Sequence, residues 1–496
     1  MGWTMASFGV TTDIQSGQSL SAGEFGFVAA QGSIVATSGP AVEVNATATL
    51  LSYGVLAALN ASTIVLNDAR STSVTIGAAG SVVTRSINLA AISGSFSDQV
   101  ALHFSGIVSG GMGLNLTASK TFSTLNIGND GVLRGLGFAA GHAIALTLNQ
   151  GSTATISNTG TISTAGTGAT IKVAGQWGGT TLTNTGDILN ASATQCAIDV
   201  VGDLTLRNSG RIEGGVTVKD GVADITSSGS VHGDIKLSGC ADIVRISGVV
   251  MGNLTLGDGA NVFWLTGGRV MDMVWGGFGD DTYHVDRSDT VISDTKGGID
   301  VVYASASFRL AAGLENLLLL GPQPLTGMGN AGANMIHGDT GDDVIWGLAG
   351  NDILIGGEGN NRLIGGTGAD TLRGGGGSDR IAGGSGDDTV YVGLGKDKLF
   401  GGAGRDVLRF DELTTASGVI ANLATSKASF EDQGDGFRFI RFEDLVGTAY
   451  ADTLTGSDVA NSLAGGDGAD TLSGGAGDDV LIGGAQGDVM DGGLGA

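Results

Sequence analysis

From Gly329 to Arg409 the chain divides into nine consecutive blocks of nine residues without an insertion. The fourth position of every block is glycine: Gly332, Gly341, Gly350, Gly359, Gly368, Gly377, Gly386, Gly395 and Gly404. The eighth is aliphatic: Ile336, Ile345, Leu354, Leu363, Leu372, Ile381, Val390, Leu399 and Leu408. The sixth is Asn334, Asp343, Asp352, Asn361, Asp370, Asp379, Asp388, Asp397 and Asp406. A unit this short cannot bury its own apolar face, so a strict period of this kind requires neighbouring units to stack and share one core. The chain is therefore expected to be a β-solenoid over this region.

Five more blocks run from Gly447 to Asp491, with Asp452, Asn461, Asp470, Asp479 and Asp488 in the sixth place and Leu454, Leu463, Leu472, Leu481 and Met490 in the eighth. A looser start lies at Gly276 to His284, where Asp281 takes the sixth place. These columns resemble the GGxGxDxUx calcium-binding nonapeptide of the repeats-in-toxin (haemolysin-type) family.

Two blocks make one coil of 18 residues, so sixth-position side chains stack with those two blocks away. One edge then carries Asn334, Asp352, Asp370, Asp388 and Asp406, and the other Asp343, Asn361, Asp379 and Asp397. Carboxylates stacked at about 4.8 Å repel by roughly 3 to 4 kcal/mol at an effective dielectric of 20. A hard divalent cation between neighbours reverses that sign. Ca²⁺ accepts six to eight oxygens in flexible geometry, turn carbonyls included, whereas Mg²⁺ demands near-octahedral ligands.

The family resemblance implies that each Ca²⁺ is shared between the turns of adjacent coils by a sixth-position Asp and backbone carbonyls. The metal ligands implied are Asp281, Asp343, Asp352, Asp370, Asp379, Asp388, Asp397, Asp406, Asp452, Asp470, Asp479 and Asp488. Asn361 lacks the charge and is expected to weaken its column; Asn334 and Asn461 lie at or near array ends.

The amino-terminal half repeats more loosely. A glycine followed two residues later by Ile, Val or Leu recurs at Gly32, Gly54, Gly80, Gly106, Gly131, Gly160, Gly186, Gly210, Gly229 and Gly248, with spacings of 22, 26, 26, 25, 29, 26, 24, 19 and 19. Short alternating runs rich in Thr, Val and Ile lie between them and read as half-buried strands. Asn129, Asn158, Asn184 and Asn208 stand two places before successive glycines and are expected to stack as an amide column. The segments ISNTGTIST, LTNTGDILN and LRNSGRIEG resemble the right-handed parallel β-helix of autotransporter passengers and filamentous adhesins, over roughly residues 20 to 250.

The expected fold is all-β: a right-handed parallel β-helix continuing into calcium-binding parallel β-rolls. The expected layout is a β-helix-like domain at 1–255, a degenerate start and spacer at 256–328, a β-roll at 329–409, a spacer or capping hairpin at 410–446, and a truncated second β-roll at 447–496. Both spacers resemble segments found between arrays in nonapeptide proteins.

Composition narrows the function. Residues 1 to 250 hold 14 Asp and Glu against 10 Lys and Arg, whereas residues 251 to 496 hold 35 against 14, which disfavours nucleic acid and favours a cation as partner. No apolar run is long enough to read as a membrane-spanning helix. The start, MGWTMASFGVTTDIQSG, does not read as a secretory signal peptide. The resemblance instead implies type I secretion, with the chain leaving a calcium-poor cytoplasm unfolded and folding outside. Such proteins usually end in a non-repeat secretion signal. Here Gly492 to Ala496 stop midway through another block, the pattern expected of a fragment.

His103, His142, His232, His284 and His337 form no HExxH arrangement, so the zinc proteases that carry similar arrays are not matched. Cys196 and Cys240 read as unpaired core residues in similar places two coils apart, too far for a disulfide. Asp187, Asp199, Asp203, Glu213, Asp220 and Asp224 are the densest acids of the first half and read as solvated turn residues.

No catalytic residue is assigned. The function expected is that of an extracellular or cell-surface calcium-binding structural protein of adhesin, matrix or surface-layer type. Its partners would be calcium and a cell-surface glycan or a second copy of the chain. The alternative is a polysaccharide lyase or epimerase with the nonapeptides as accessory repeats.

Overall fold

A computed structural model describes residues 7–10, 18–21, 24–29, 31, 33–36, 40–45, 48–58, 62–69, 72–84, 90–110, 112–136, 141–175, 178–192, 195–413, 417–430 and 437–495. Every regular element among them is a β-strand, and no helix is long and apolar enough to cross a membrane. The chain divides into two compact units, residues 1–279 and 280–496.

In the first unit each coil carries three short strands, and each strand pairs in parallel with its counterpart in the next coil. Thr153–Asn158 pairs with Gly179–Asn184 and that with Asp203–Asn208. Thr161–Thr164 pairs with Asp187–Asn190, and Ile171–Ala174 with Cys196–Val201. Side chains alternate along a strand. In Thr153–Asn158 the residues Ala154, Ile156 and Asn158 are buried, while Thr153, Thr155 and Ser157 face outward. β-Branched and small polar residues suit that outer, pleated surface.

The pairings Val55↔Ser81↔Ile107↔Val132↔Thr161↔Asp187↔Arg211↔Ser230↔Val249 step by the same intervals as the glycines that precede these residues. The glycine column therefore turns each coil at one corner. Space is the reason: a Cβ on Gly160, Gly186, Gly210, Gly229 or Gly248 would collide with the carbonyl oxygen of the glycine one coil earlier. Gly32 lies outside the described residues.

The asparagine column forms as expected. Nδ2 of Asn129 donates to Oδ1 of Asn158 at 2.7 Å, Asn158 to Asn184 at 2.7 Å, and Asn184 to Asn208 at 2.8 Å. Asn208 ends the run on the Ser227 hydroxyl at 3.0 Å. All four asparagines are buried.

Two expectations fail here. Asp187, Asp199, Asp203, Glu213 and Asp224 are strand residues, not turn residues, because each meets a donor from a neighbouring strand or turn. Asp187 lies 3.2 Å from Arg211, Asp199 2.9 Å from Lys219 and Asp224 2.6 Å from Arg207. Glu213 faces Arg211 and His232, and Asp203 accepts the Val222 N–H at 2.9 Å. Only Asp220, at φ 54°, sits in a turn.

The cysteines are free, but half-buried rather than core. A register shift between Cys196 and Ile198 inserts an extra residue, and Cys240 lies beyond the strand Ile235–Lys236, so the two do not occupy equivalent places.

In the second unit the coil has two strands. Ile353↔Thr371↔Thr389↔Val407 run along one sheet and Val344↔Arg362↔Arg380↔Lys398 along the other. The eighth-position residues from Ile336 to Leu408 are at most 2% exposed and form the core between the sheets. Of the later blocks, Leu454, Leu463 and Leu472 are buried, Leu481 is half-buried and Met490 is exposed.

The segments between arrays also belong to the stack. Val301–Ala304 pairs with Thr282–Val285 and with Asn316–Leu319, which in turn pairs with Met335–His337. Val419–Asn422, Lys427–Phe430 and Phe437–Ile440 form an antiparallel meander. Its outer strands pair in parallel with Lys398–Ala403 and Thr453–Ser457, so the sheet runs through the meander. Phe410, Phe430, Phe437, Phe439 and Phe442 fill its interior at centroid distances of 6.0 to 6.5 Å.

Replacing a middle asparagine removes a buried hydrogen bond to each neighbour, the acceptor of one amide and the donor of the next, which costs about 1 to 3 kcal/mol. Asn184→Ala is therefore expected to lower the denaturant midpoint of the first unit, while the outward-facing Thr183→Ala leaves it nearly unchanged. Equal midpoints for the two variants would exclude a stabilising amide column.

Candidate metal centre

The turn of each nonapeptide is built by its glycines. Second- and fourth-position glycines such as Gly366 and Gly368 lie at φ 124°, a region that L-residues avoid. Leu348 takes a second position at φ 85°, without that freedom. First-position glycines serve a different need. A Cβ on Gly365 would collide with Asp370 Oδ2 and fall 2.5 Å from the Gly383 carbonyl oxygen. The space beside each first-position glycine is thus bounded by oxygens and too small for a side chain.

The sixth-position side chains line up one coil apart, along both edges. Their Oδ1 atoms have a role that the spacing alone did not reveal. Each accepts the backbone N–H of the sixth residue one coil earlier: Asn334 to Asp352 at 2.7 Å, Asp352 to Asp370 at 2.8 Å, Asp370 to Asp388 and Asp388 to Asp406 both at 2.9 Å. The other edge repeats this through Asp343 to Asn361, Asn361 to Asp379 and Asp379 to Asp397, at 2.7 to 2.9 Å. In the second array Asp452 donates to Asp470, Asn461 to Asp479 and Asp470 to Asp488.

The second carboxylate oxygen is the unsatisfied group of the site. Oδ2 of Asp343, Asp352, Asp370, Asp379, Asp388, Asp397, Asp406, Asp470 and Asp479 is buried without a hydrogen-bond donor. Asn361 shows where this atom points. Its Nδ2, in the place of Oδ2, donates to the carbonyl oxygens of Glu358 and Gly359 at 3.3 and 3.4 Å. At Asn334 and Asn461 the same place is taken by Oδ1, which accepts the second-position N–H of Asn330 and Ser457 at 2.7 Å, so the Oδ2 of an array Asp lies among both carbonyl oxygens and a backbone N–H of its turn. Hard oxygen donors arranged in this way fit Ca²⁺.

Burial raises these acids. Asp352 and Asp406 are pushed up to about 6, and Asp379 and Asp388 up to about 7, with the N–H bond to Oδ1 opposing the shift. Asp343, Asp370, Asp397, Asp452 and Asp470 are raised for the same reason.

Asp452 departs from the pattern. Thr448 donates its N–H and hydroxyl to the carboxylate at 2.6 and 2.9 Å, and Val419 donates its N–H at 2.6 Å, so both oxygens are engaged. Asp488 is half-buried. Asp281 is buried ahead of the arrays, beside Asp294 and Asp300, and its N–H donates to Asp300 Oδ1 at 2.8 Å as an array Asp donates to the next.

Several participants escaped the sequence reading. Glu315 and Glu443 accept the N–H of Asp300 and Asp406 at 2.9 Å, replacing a sixth-position Asp where the next coil lacks one. Their own carbonyls receive Nδ2 of Asn334 and Asn461 at 3.3 and 2.7 Å. The shared Glu-x-Leu of LENL and FEDL was the available signal. Asp242 repeats the array geometry in the first unit: its N–H donates to Asn261 Oδ1 at 2.9 Å, its Oδ2 has no donor, and burial pushes it up to about 7. Its motif is the Asp-Ile-Val that precedes Asn261-Val-Phe by 19 residues.

A carboxyl whose folded pKa is raised binds protons better folded than unfolded, so without calcium the arrays lose stability as pH rises through 6 to 7. Calcium requires the ionised form and reverses the trend. In chelator the thermal midpoint of the chain is expected to be higher at about pH 5 than at about pH 8, and with saturating calcium lower. A midpoint in chelator that does not fall between the two pH values would contradict this account.

Four copies of the RTX calcium-binding nonapeptide repeat match the chain, at residues 328–363, 355–390, 373–408 and 464–496. No curated protein matches it. Residues 328–408 and 464–496, the segments whose stacked aspartates carry the donorless oxygens, are RTX calcium-binding nonapeptide repeats.

Proposed function

We propose that this chain is an extracellular structural protein whose nonapeptide arrays fold on binding Ca²⁺, released through a type I route and working at the cell surface as an adhesin, matrix or surface-layer component. The observation that carries this reading is the buried, donorless Oδ2 of the stacked aspartates within segments matched to the calcium-binding repeat. Each such oxygen opposes folding until a cation is supplied, so binding free energy becomes folding free energy. Calcium-poor cytoplasm then keeps the arrays unfolded, and calcium outside closes them. The ion pairs that engage the acids of the first unit support a structural role over a polysaccharide lyase or epimerase.

Circular dichroism of the full chain is expected to gain β signal when calcium is added to chelated protein, and an unchanged spectrum would overturn the reading. Binding to a glycan array, and light scattering for self-assembly, are both expected to depend on calcium. Alginate and pectin should show no change in viscosity or ultraviolet absorbance; a change would favour the enzymatic alternative.

A further inference from the structure

Outside the arrays, three buried carboxylates converge. Asp281, Asp294 and Asp300 are each at most 1% exposed, and one oxygen from each lies within 4.8 Å of the others. They come from separate stretches of the second unit: Asp281 precedes Thr282–Val285, Asp294 follows Val291–Ser293, and Asp300 precedes Val301–Ala304. Only Asp281 belongs to a nonapeptide-like block. Asp294 and Asp300 lie in the segment without one.

The hydrogen bonds leave this cluster short of donors. The Asp281 N–H donates to Asp300 Oδ1 at 2.8 Å. Tyr283, fully buried, has one hydroxyl proton for two carboxylates, Asp294 Oδ2 at 2.7 Å and Asp281 Oδ2 at 3.2 Å. Asp294 Oδ1 and Asp300 Oδ2 have no donor although they are buried. Glu315 Oε2 adds a further negative group, accepting the Asp300 N–H at 2.9 Å. Burial and then the charges of Asp294, Asp281 and Glu315 push Asp300 up to about 7.

We propose that Asp281, Asp294 and Asp300 form a Ca²⁺ site outside the matched repeats, in which Asp294 joins two acids stacked as those of the arrays are, positioned by Tyr283 and filled before the array positions. The ligand chemistry is oxygen only, with neither His nor Cys in the cluster, which selects a hard cation over zinc. The order of filling follows from charge. Calcium affinity rises with the number of charged ligands and the rigidity of the site, and three carboxylates converge here, whereas each array Asp offers one free oxygen per coil. The site stands independently of the array reading, because none of its residues lies within the matched repeats.

The test uses the full chain, stripped with chelator and titrated with calcium and, separately, with terbium excited through tyrosine. A first step tighter than the rest is expected. Asp294→Asn should weaken that step by about tenfold or more and leave the later steps in place, whereas Asp379→Asn with Asp388→Asn should do the reverse. An unaltered first step in Asp294→Asn would overturn the proposal. Folding of each variant is checked by circular dichroism at saturating calcium. Should Asp294→Asn not fold, Tyr283→Phe, which keeps all three carboxylates, should lose most of the terbium emission at one ion per chain, and emission equal to that of the unmodified chain would overturn the proposal. Loss of only the later steps in the unmodified chain would count against the arrays and leave this site standing.

Discussion

A buried carboxylate oxygen without a hydrogen-bond donor is the constraint on which the nonapeptide coils depend. In the array coils that carry Asp, and at Asn361, one atom of the sixth side chain receives a backbone N–H of the coil before, which fixes the stack. The other atom is thereby turned into its own turn, beside the first-position glycine. An amide nitrogen there closes the turn by itself, as at Asn361. A buried carboxylate oxygen without a donor carries an uncompensated cost, and a hard cation is the kind of partner that would offset it.

The two units solve the same stacking problem with opposite chemistry. In the first, Asn129, Asn158, Asn184 and Asn208 are both donor and acceptor, so each amide satisfies the next and no ion is needed. In the second, most of the column is acceptor only. The uneven charge of the chain, concentrated after residue 250, thus has a structural place: much of it is buried in turns rather than spread over a solvated surface. The coils differ to match. Three strands per coil enclose a broad aliphatic core in the first unit, whereas two short strands enclose little more than one aliphatic residue per block in the second.

Periodic features were legible because each depends only on spacing. The glycine column reads out the coil register of the first unit residue by residue, since any side chain there would strike the preceding coil. The asparagine column and the two aspartate edges follow from the same arithmetic. Features set by contacts between unlike segments were not legible. Thr448 engages Asp452, a register shift displaces Cys196, and Glu315 and Glu443 substitute for aspartates in coils where the repeat fails. The convergence of Asp294 with Asp281 and Asp300 is of this kind, because the residue between repeats that reaches the cluster has no period to announce it.

The amino acids alone thus dictated a stacked all-β chain, its coil length, its inward aliphatic rows and the aspartate files, because these are consequences of a repeat that must pair with itself. Folding in three dimensions decided which carboxylate oxygens end without a donor. That outcome depends on where each oxygen points once the neighbouring coil has claimed its partner, and no spacing along a chain encodes it.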